Sequence, residues 1–303
     1  NSFDWTYRNF IGNPEDQTII GLLPNYVEQG DSSLVYMVNS LIDNSDNSES
    51  QFFLSELDQL QEVVSKSQNM GKQLVVIGVA YSLLDLCDFG IDLSNAIVIE
   101  TGGMKGRRKE LSKEDLHSKL RKELNIKAWI LFGGSWGSTL ALAYAIKHPE
   151  LVEGLILRGV FLSRKHELDW FLKDVDIFFP ELHHNLLKHI PNTSKKNLLE
   201  KYTELVFSND KDSAYKAAIS WNQFEGSILK LLPPAVSSET IEVDNEFELA
   251  RAKVQLHYIN NNCFVNGEDM LEKSKILKDI PITIIQGRYD MVCPPKTAYE
   301  LHQ

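Results

Sequence analysis

The stretch that decides the fold is Trp129-Ile-Leu-Phe-Gly-Gly-Ser-Trp-Gly137, running into Ser138-Thr-Leu-Ala-Leu-Ala-Tyr-Ala145. Trp129 to Phe132 is a short apolar run that suits a strand buried on both faces, and Ser138 to Lys147 suits a helix. Between them, Gly133-Gly-Ser-Trp-Gly137 fits the G-x-S-x-G turn in which a serine is presented between a strand and a helix. Such a turn strains the backbone at the serine, so the residues two before and two after it must be small. Both are glycine here. The turn lifts the Ser135 hydroxyl out of the sheet and leaves the Trp136 N–H to stabilise an oxyanion, with the helix N-terminus adding a favourable dipole. Ser135 is therefore the candidate nucleophile and Trp136 the candidate oxyanion donor. A glycine-rich turn with a capping serine is the plainer alternative.

Further runs of the strand type flank this one: Thr18-Ile-Ile, Leu74 to Ile77, Ala96 to Ile99, Gly154 to Leu157 and Ile282 to Ile285. Helical patterns lie between them. Ser112-Lys-Glu-Asp115 reads as a capping box that opens a helix running to about Leu124. Residues 43–50 read as a polar, acidic loop. The alternation predicts an α/β fold, a mostly parallel sheet flanked by helices. Residues 161–275 are helical in pattern and rich in Lys, Glu and Leu, so they predict a helical cap over the strands' C-terminal ends. Asp290 follows the Ile282–Ile285 strand through Gln286-Gly-Arg-Tyr and is the candidate acid partner of Ser135. A turn-capping aspartate is the alternative.

Composition narrows the function class. The 303 residues suffice for one large α/β domain or two ordinary ones, and 43% hydrophobic with 24% charged residues is ordinary for a soluble globular protein. A net charge of −11 argues against a nucleic-acid partner, which needs a basic stripe. No run approaches the ~18 apolar residues of a membrane helix. Cys87, Cys263 and Cys293 are far apart and lack metal-type spacing, which predicts unpaired thiols in a reducing cytoplasm, no metal and no cofactor. The start at Asn1 lacks an initiator Met and a signal-peptide pattern, which reads as a processed chain or a fragment.

Phe132 to Ala145 with His148-Pro-Glu150 resembles the prolyl aminopeptidases (proline iminopeptidases) of the α/β-hydrolase class. Leu157 to Leu162, Asp169-Trp-Phe171, Trp221-Asn-Gln-Phe-Glu-Gly226, His257-Tyr258 and Gln286-Gly-Arg-Tyr-Asp-Met-Val-Cys-Pro294 extend the resemblance over about Ala128 to Gln303. It implies a hydrolase that removes N-terminal proline from peptides, with Ser135 as nucleophile and Asp290 as acid. Glu225 would then bind the substrate's free amino terminus, a carboxylate under a cap being able to select an ammonium. A surface carboxylate on the cap is the alternative. The family's second amine-binding Glu corresponds to Gln255, a lost charge that predicts weaker ammonium recognition. The family's HGGPG oxyanion loop has no counterpart upstream of Ser135. His302 is the only histidine after Asp290 and falls in a helix, which predicts a non-catalytic role for it.

Residues 1–127 resemble LuxE-type acyl-protein synthetases, which are adenylate-forming enzymes. The resemblance rests on Gly21 to Tyr26, Ser32 to Val38, Ser82 to Asp85 and Ile99-Glu-Thr-Gly-Gly-Met-Lys-Gly-Arg-Arg-Lys-Glu110. It implies that Gly102, Gly103 and Met104 lie against the adenine of an acyl-adenylate, with fatty acid and ATP as the partners of this half. A strand-end turn before a basic patch is the alternative for that stretch. The phosphate loop of that family has no counterpart here. The chain thus looks like two incomplete enzymes joined between about Leu116 and Ala128, giving domains 1–127 and 128–303. Three functions stay open: a weak or inactive serine aminopeptidase, an ATP-dependent fatty-acyl-activating fragment, and a non-catalytic chimera or binding protein.

Overall fold

The computed structural model describes residues 7–9, 11–23, 33–53, 57–93, 95–101, 113–124, 126, 128–188, 190, 198–229 and 244–303. The chain forms two compact units: residues 1–133, 147–157 and 277–285 make the first, and residues 134–146, 158–276 and 286–303 the second.

In the first unit, four strands form a parallel sheet ordered β2-β1-β3-β4: β1 (Gln17–Leu22), β2 (Gln51–Phe52), β3 (Gln73–Gly78) and β4 (Ile97–Glu100). Helices α1 (Ser33–Asn44), α2 (Leu57–Met70) and α3 (Ala80–Phe89) connect them in turn. β1 is buried along its whole length, which is why its apolar residues run on without alternation. Its two buried polar side chains are satisfied. Tyr7 Oη donates to Gln17 Oε1 at 2.7 Å, and Ser67 Oγ donates to Thr18 Oγ1 at 2.8 Å. Of the stretch 43–50, expected as a polar, acidic loop, residues 45–50 form turns and loop. α1 runs to Asn44, Ser45 and Ser50 are buried, and Ser50 Oγ accepts the Ile19 N–H at 2.9 Å. The Ser50 hydroxyl and the Asn47 amide, which donates to Thr18 Oγ1 at 3.0 Å, complete the hydrogen bonding of β1, a job that composition alone does not reveal.

After α4 (Lys113–Glu123) come β5 (Trp129–Ser135), β6 (Val152–Val160) and β7 (Ile282–Ile285), which form a second sheet ordered β5-β6-β7. The α/β class is as expected. The seven strands of the described residues fall into two sheets. Each sheet holds strands neighbouring in the sequence, except that β7 joins after the long helical excursion. Burial on both faces, expected for all these runs, holds for β1 and the middle of β6 but not for β7, where Ile282 is exposed. β7 and β5 are the outer strands of a three-stranded sheet, and most of their side chains stay half-buried.

The second unit is helical. It begins with α5 (Trp136–Lys147) and continues with α6 (Lys165–Leu172), α7 (Pro180–Lys188), α8 (Leu198–Val206), α9 (Lys211–Ile228), α10 (Asn245–Asn260), α11 (Gly267–Lys273) and α12 (Pro295–His302). Its core gathers Phe171, Val175, Tyr202, Trp221, Phe224 and Leu256. Phe171 and Phe224 meet edge to face at 5.7 Å, and Tyr202 lies 5.4 Å from Trp221. The helical character expected for 161–275 holds among the described residues of that range. No helix among the described residues is long and apolar enough to cross a membrane.

Candidate active site

Ser135 ends β5 and Trp136 opens α5, so the strand–turn–helix context holds. Ser135 has φ 52°, in the left-handed region that a side chain ordinarily avoids. Its residue is exposed, whereas Gly133 two positions before is buried. Hydroxyls at the start of α5 hold this conformation. Ser138 Oγ donates to the Ser135 carbonyl at 2.6 Å and accepts the Phe161 N–H at 3.1 Å, and Thr139 Oγ1 donates to the Phe161 carbonyl at 2.6 Å. Two bonds thus fasten the turn to Phe161 after β6 and a third braces it from within, and a strained φ persists only where neighbours over-determine it. The Trp136 N–H belongs to the first turn of α5, where no intrahelical acceptor exists.

Asp290 stands on the loop between β7 and α12. Its Oδ1 accepts the N–H groups of Val292 at 3.1 Å and Cys293 at 2.8 Å. Gln286 organises the same loop: its Oε1 accepts the Val160 N–H at 3.0 Å, and its Nε2 donates to the Cys293 carbonyl at 2.7 Å and to Asp290 Oδ2 at 3.4 Å. One amide therefore ties the end of β6 to the loop that carries Asp290. Gly159 adopts φ 54°, a backbone conformation that L side chains rarely take, beside Asp290, whose Oδ2 a Cβ there would meet in ordinary contact at 3.4 Å.

Cys293 joins the two. Its Sγ lies 3.8 Å from Ser135 Oγ. Burial, and then the neighbouring charge of Asp290, push this thiol up to about 12, so at neutral pH it is neither a thiolate nor a proton acceptor. Among the described residues no histidine hydrogen-bonds Ser135 Oγ or Asp290. His302 is exposed at the end of α12, and His257 packs against Tyr258 and Phe264.

These groups open onto a cavity of about 720 Å³ in the second unit. Its walls are mostly apolar, from Phe161, Phe171, Phe247, Val254 and Tyr258, with Trp136 meeting Tyr258 edge to face at 5.1 Å. Ser135, Trp136, Glu225 and Gln255 all line it, so four of the expected site residues come together in one space with Cys293. The carboxylate and the amide are linked: Gln255 Nε2 donates to Glu225 Oε1 at 3.1 Å while Gln255 Oε1 accepts the Trp221 indole N–H at 2.6 Å. Arg251, one helical turn before Gln255, places its Nη2 3.0 Å from Glu225 Oε2. Gly102, Gly103 and Met104 lie outside the described residues.

Sequence reasoning overlooked Gln286 and Arg251. Gln286 stood inside a recognised motif, and a glutamine four residues before an acid was its only signal. The i, i+4 spacing of Arg251 and Gln255 on one helix was a usable cue for a shared partner.

Residues 108–303 match the alpha/beta hydrolase fold family. A probable proline iminopeptidase of Leptolyngbya boryana is 40% identical over 188 residues, 61% of this chain and 58% of that protein. A proline iminopeptidase of Arabidopsis thaliana is 39% identical over 188 residues, covering 61% of this chain and 49% of its own length. One from Neisseria meningitidis serogroup B (strain ATCC BAA-335 / MC58) is 34% identical over 224 residues, 70% of this chain and 71% of that protein. The chain thus spans about half to three fifths of the length of the first two relatives. With a strand–turn–helix serine at φ 52° and a match that takes in residues 108–303, the chain belongs to the alpha/beta hydrolase fold family.

Proposed function

We propose that the chain is a serine aminopeptidase-like hydrolase directed at N-terminal proline in peptides, with Ser135 as nucleophile, Trp136 N–H as oxyanion donor, Asp290 as acid and Glu225, assisted by Gln255, as the amine-recognition group. The observation that carries this reading is Ser135 itself: a non-glycine residue at φ 52° between strand and helix, lining an apolar cavity that also contains Glu225. The likeness to proline iminopeptidases supports the substrate class. The attack requires a base to take the Ser135 proton, and Cys293 is unsuited to that task because its thiol stays protonated. Without a base at Ser135, oxyanion stabilisation and binding alone would support a rate on the order of 10³–10⁴-fold over water. A fluorophosphonate probe should label wild type and not S135A, and a proline-amide reporter should be released slowly by wild type. Equal labelling and equal turnover in S135A would refute the assignment.

For residues 1–127 we propose a separate lineage, that of acyl-protein synthetases. That reading rests only on the resemblance carried by Gly21 to Tyr26, Ser32 to Val38, Ser82 to Asp85 and Ile99 to Glu110. Fatty-acid-dependent exchange of pyrophosphate into ATP is its test, and an exchange rate no greater than that without fatty acid would argue for a non-catalytic first half.

A further inference from the structure

Among the described residues lining the 720 Å³ cavity, the charged ones are Glu225 and Arg251. They form an ion pair at 3.0 Å, Glu225 with 19% of its side chain exposed and Arg251 with 43%. The other carboxylate oxygen is held by the amide of Gln255, which is itself fixed by Trp221. Both oxygens of Glu225 are thus already engaged by donors of this chain, and its charge is balanced. A ligand ammonium that approaches Glu225 meets a guanidinium at the same oxygen. Two cations at one carboxylate repel, and the one on a flexible, half-exposed stem is the one that yields.

We propose that Arg251 is a built-in counter-ion of Glu225 and a specificity-determining residue: it competes with the amino group of the ligand and must swing out before that group can bind. This inference rests on the reading of Glu225 as the amine-recognition group. In its resting arrangement the wall is electrically neutral, so the cavity discriminates little between a cationic and a neutral five-membered ring. Gln255 strengthens the effect, because a neutral amide supplies no second charge to retain the ligand once Arg251 has moved.

The experiment measures binding and does not depend on turnover. L-Prolinamide and its uncharged carbocyclic analogue cyclopentanecarboxamide are titrated into wild type, R251M, R251Q, E225Q and the R251M/E225Q double variant, with far-UV circular dichroism and a thermal melt confirming the fold of each. R251M and R251Q should tighten L-prolinamide by roughly two- to fivefold, the range of a partly exposed ion pair, and leave cyclopentanecarboxamide unchanged. The double variant should lose that gain. Unchanged or weaker binding of L-prolinamide by both Arg251 variants overturns the inference. If wild-type binding of L-prolinamide still falls in E225Q, the amine role of Glu225 survives that result. If no variant separates the two ligands, both ideas fall together.

Discussion

Replacing Gln286 with leucine should loosen the acid loop while leaving the serine turn in place. The side chain makes three hydrogen bonds, to the Val160 N–H, the Cys293 carbonyl and Asp290 Oδ2. Leucine has similar bulk and no polar atom. The loss comprises about 1 kcal/mol for each of the two short bonds, plus the cost of leaving the Val160 N–H and the Cys293 carbonyl without a partner, about 1–3 kcal/mol each when buried. Gln286 is half-buried, so water recovers part of this, and about 2–3 kcal/mol is the expected local destabilisation. The bond to Asp290 at 3.4 Å is long and adds little. Amide hydrogen exchange is the suitable assay, because the two compact units make a single global melting temperature ambiguous. At tenfold per 1.4 kcal/mol, the Val160 amide of Q286L should exchange about 30- to 100-fold faster than in wild type. The Ile19 amide, bonded to Ser50 in the first unit, is the internal reference and should not change. Q286E sharpens the test. Its carboxylate still accepts from Val160 but faces the Cys293 carbonyl and Asp290, so its defect should shrink as pH falls and the new carboxyl protonates. Val160 exchange within threefold of wild type in Q286L would refute the claim that this amide holds the acid loop.

At Ser135 the usual helix-and-strand order of alanine over glycine should reverse: φ 52° makes S135G more stable than S135A by roughly 0.5–1.5 kcal/mol in urea unfolding, and a more stable S135A would contradict the strain argument. Burial raises the Cys293 thiol from its ordinary 9.0 to about 12 and the Tyr202 phenol from 10.0 to about 12. Both contribute stability that is complete below about pH 9 and is lost as pH climbs through 12, so thermal stability should fall steeply above pH 9, and C293A should flatten that fall. Iodoacetamide should leave Cys293 unmodified in the native protein at pH 8. Arg164 and Glu167 form a buried ion pair, with Thr297 donating to Glu167 at 2.8 Å. E167Q should therefore cost about 3 kcal/mol by leaving Arg164 undercompensated, although Glu300 still holds it at 2.6 Å. The double variant R164M/E167M should recover most of the loss, and failure to recover would mean that the pair is needed for packing.

The serine turn was legible because its requirements are local: an apolar strand, two glycines and a helix of small residues lie within 19 positions of one another, from Trp129 to Lys147. Asp290 was legible as a strand-end residue for a similar reason. What escaped was tertiary. Gln286 matters through Val160, 126 residues away, and Arg251 through Glu225 on a neighbouring helix. Ser50 reads as one more polar residue in an acidic stretch until its hydroxyl is seen to cap the Ile19 N–H. The division of the strands was illegible as well. Short apolar runs announce strands but carry no pairing register, and two sheets of four and three strands serve the pattern as well as one of seven.

The strain at Ser135 and the engagement of Glu225 bear on each other. The three bonds among Ser135, Ser138, Thr139 and Phe161 hold the Ser135 backbone in its costly conformation whether or not ligand is present. That is preorganisation, and it serves chemistry only if the ligand arrives in register with the hydroxyl. Register, in the proposed reaction, comes from the amino group at Glu225. A carboxylate already neutralised by Arg251 and Gln255 gives little net attraction to that group, so the rigid half of the site waits on a weak anchor. The two halves then make separable contributions: changes at Gln286 or Gly159 should alter the reactivity of Ser135 toward a small fluorophosphonate, whereas changes at Arg251 should alter amine binding and leave that reactivity alone. A fluorophosphonate carries no ammonium and needs no anchor, so its rate isolates the turn from the recognition wall.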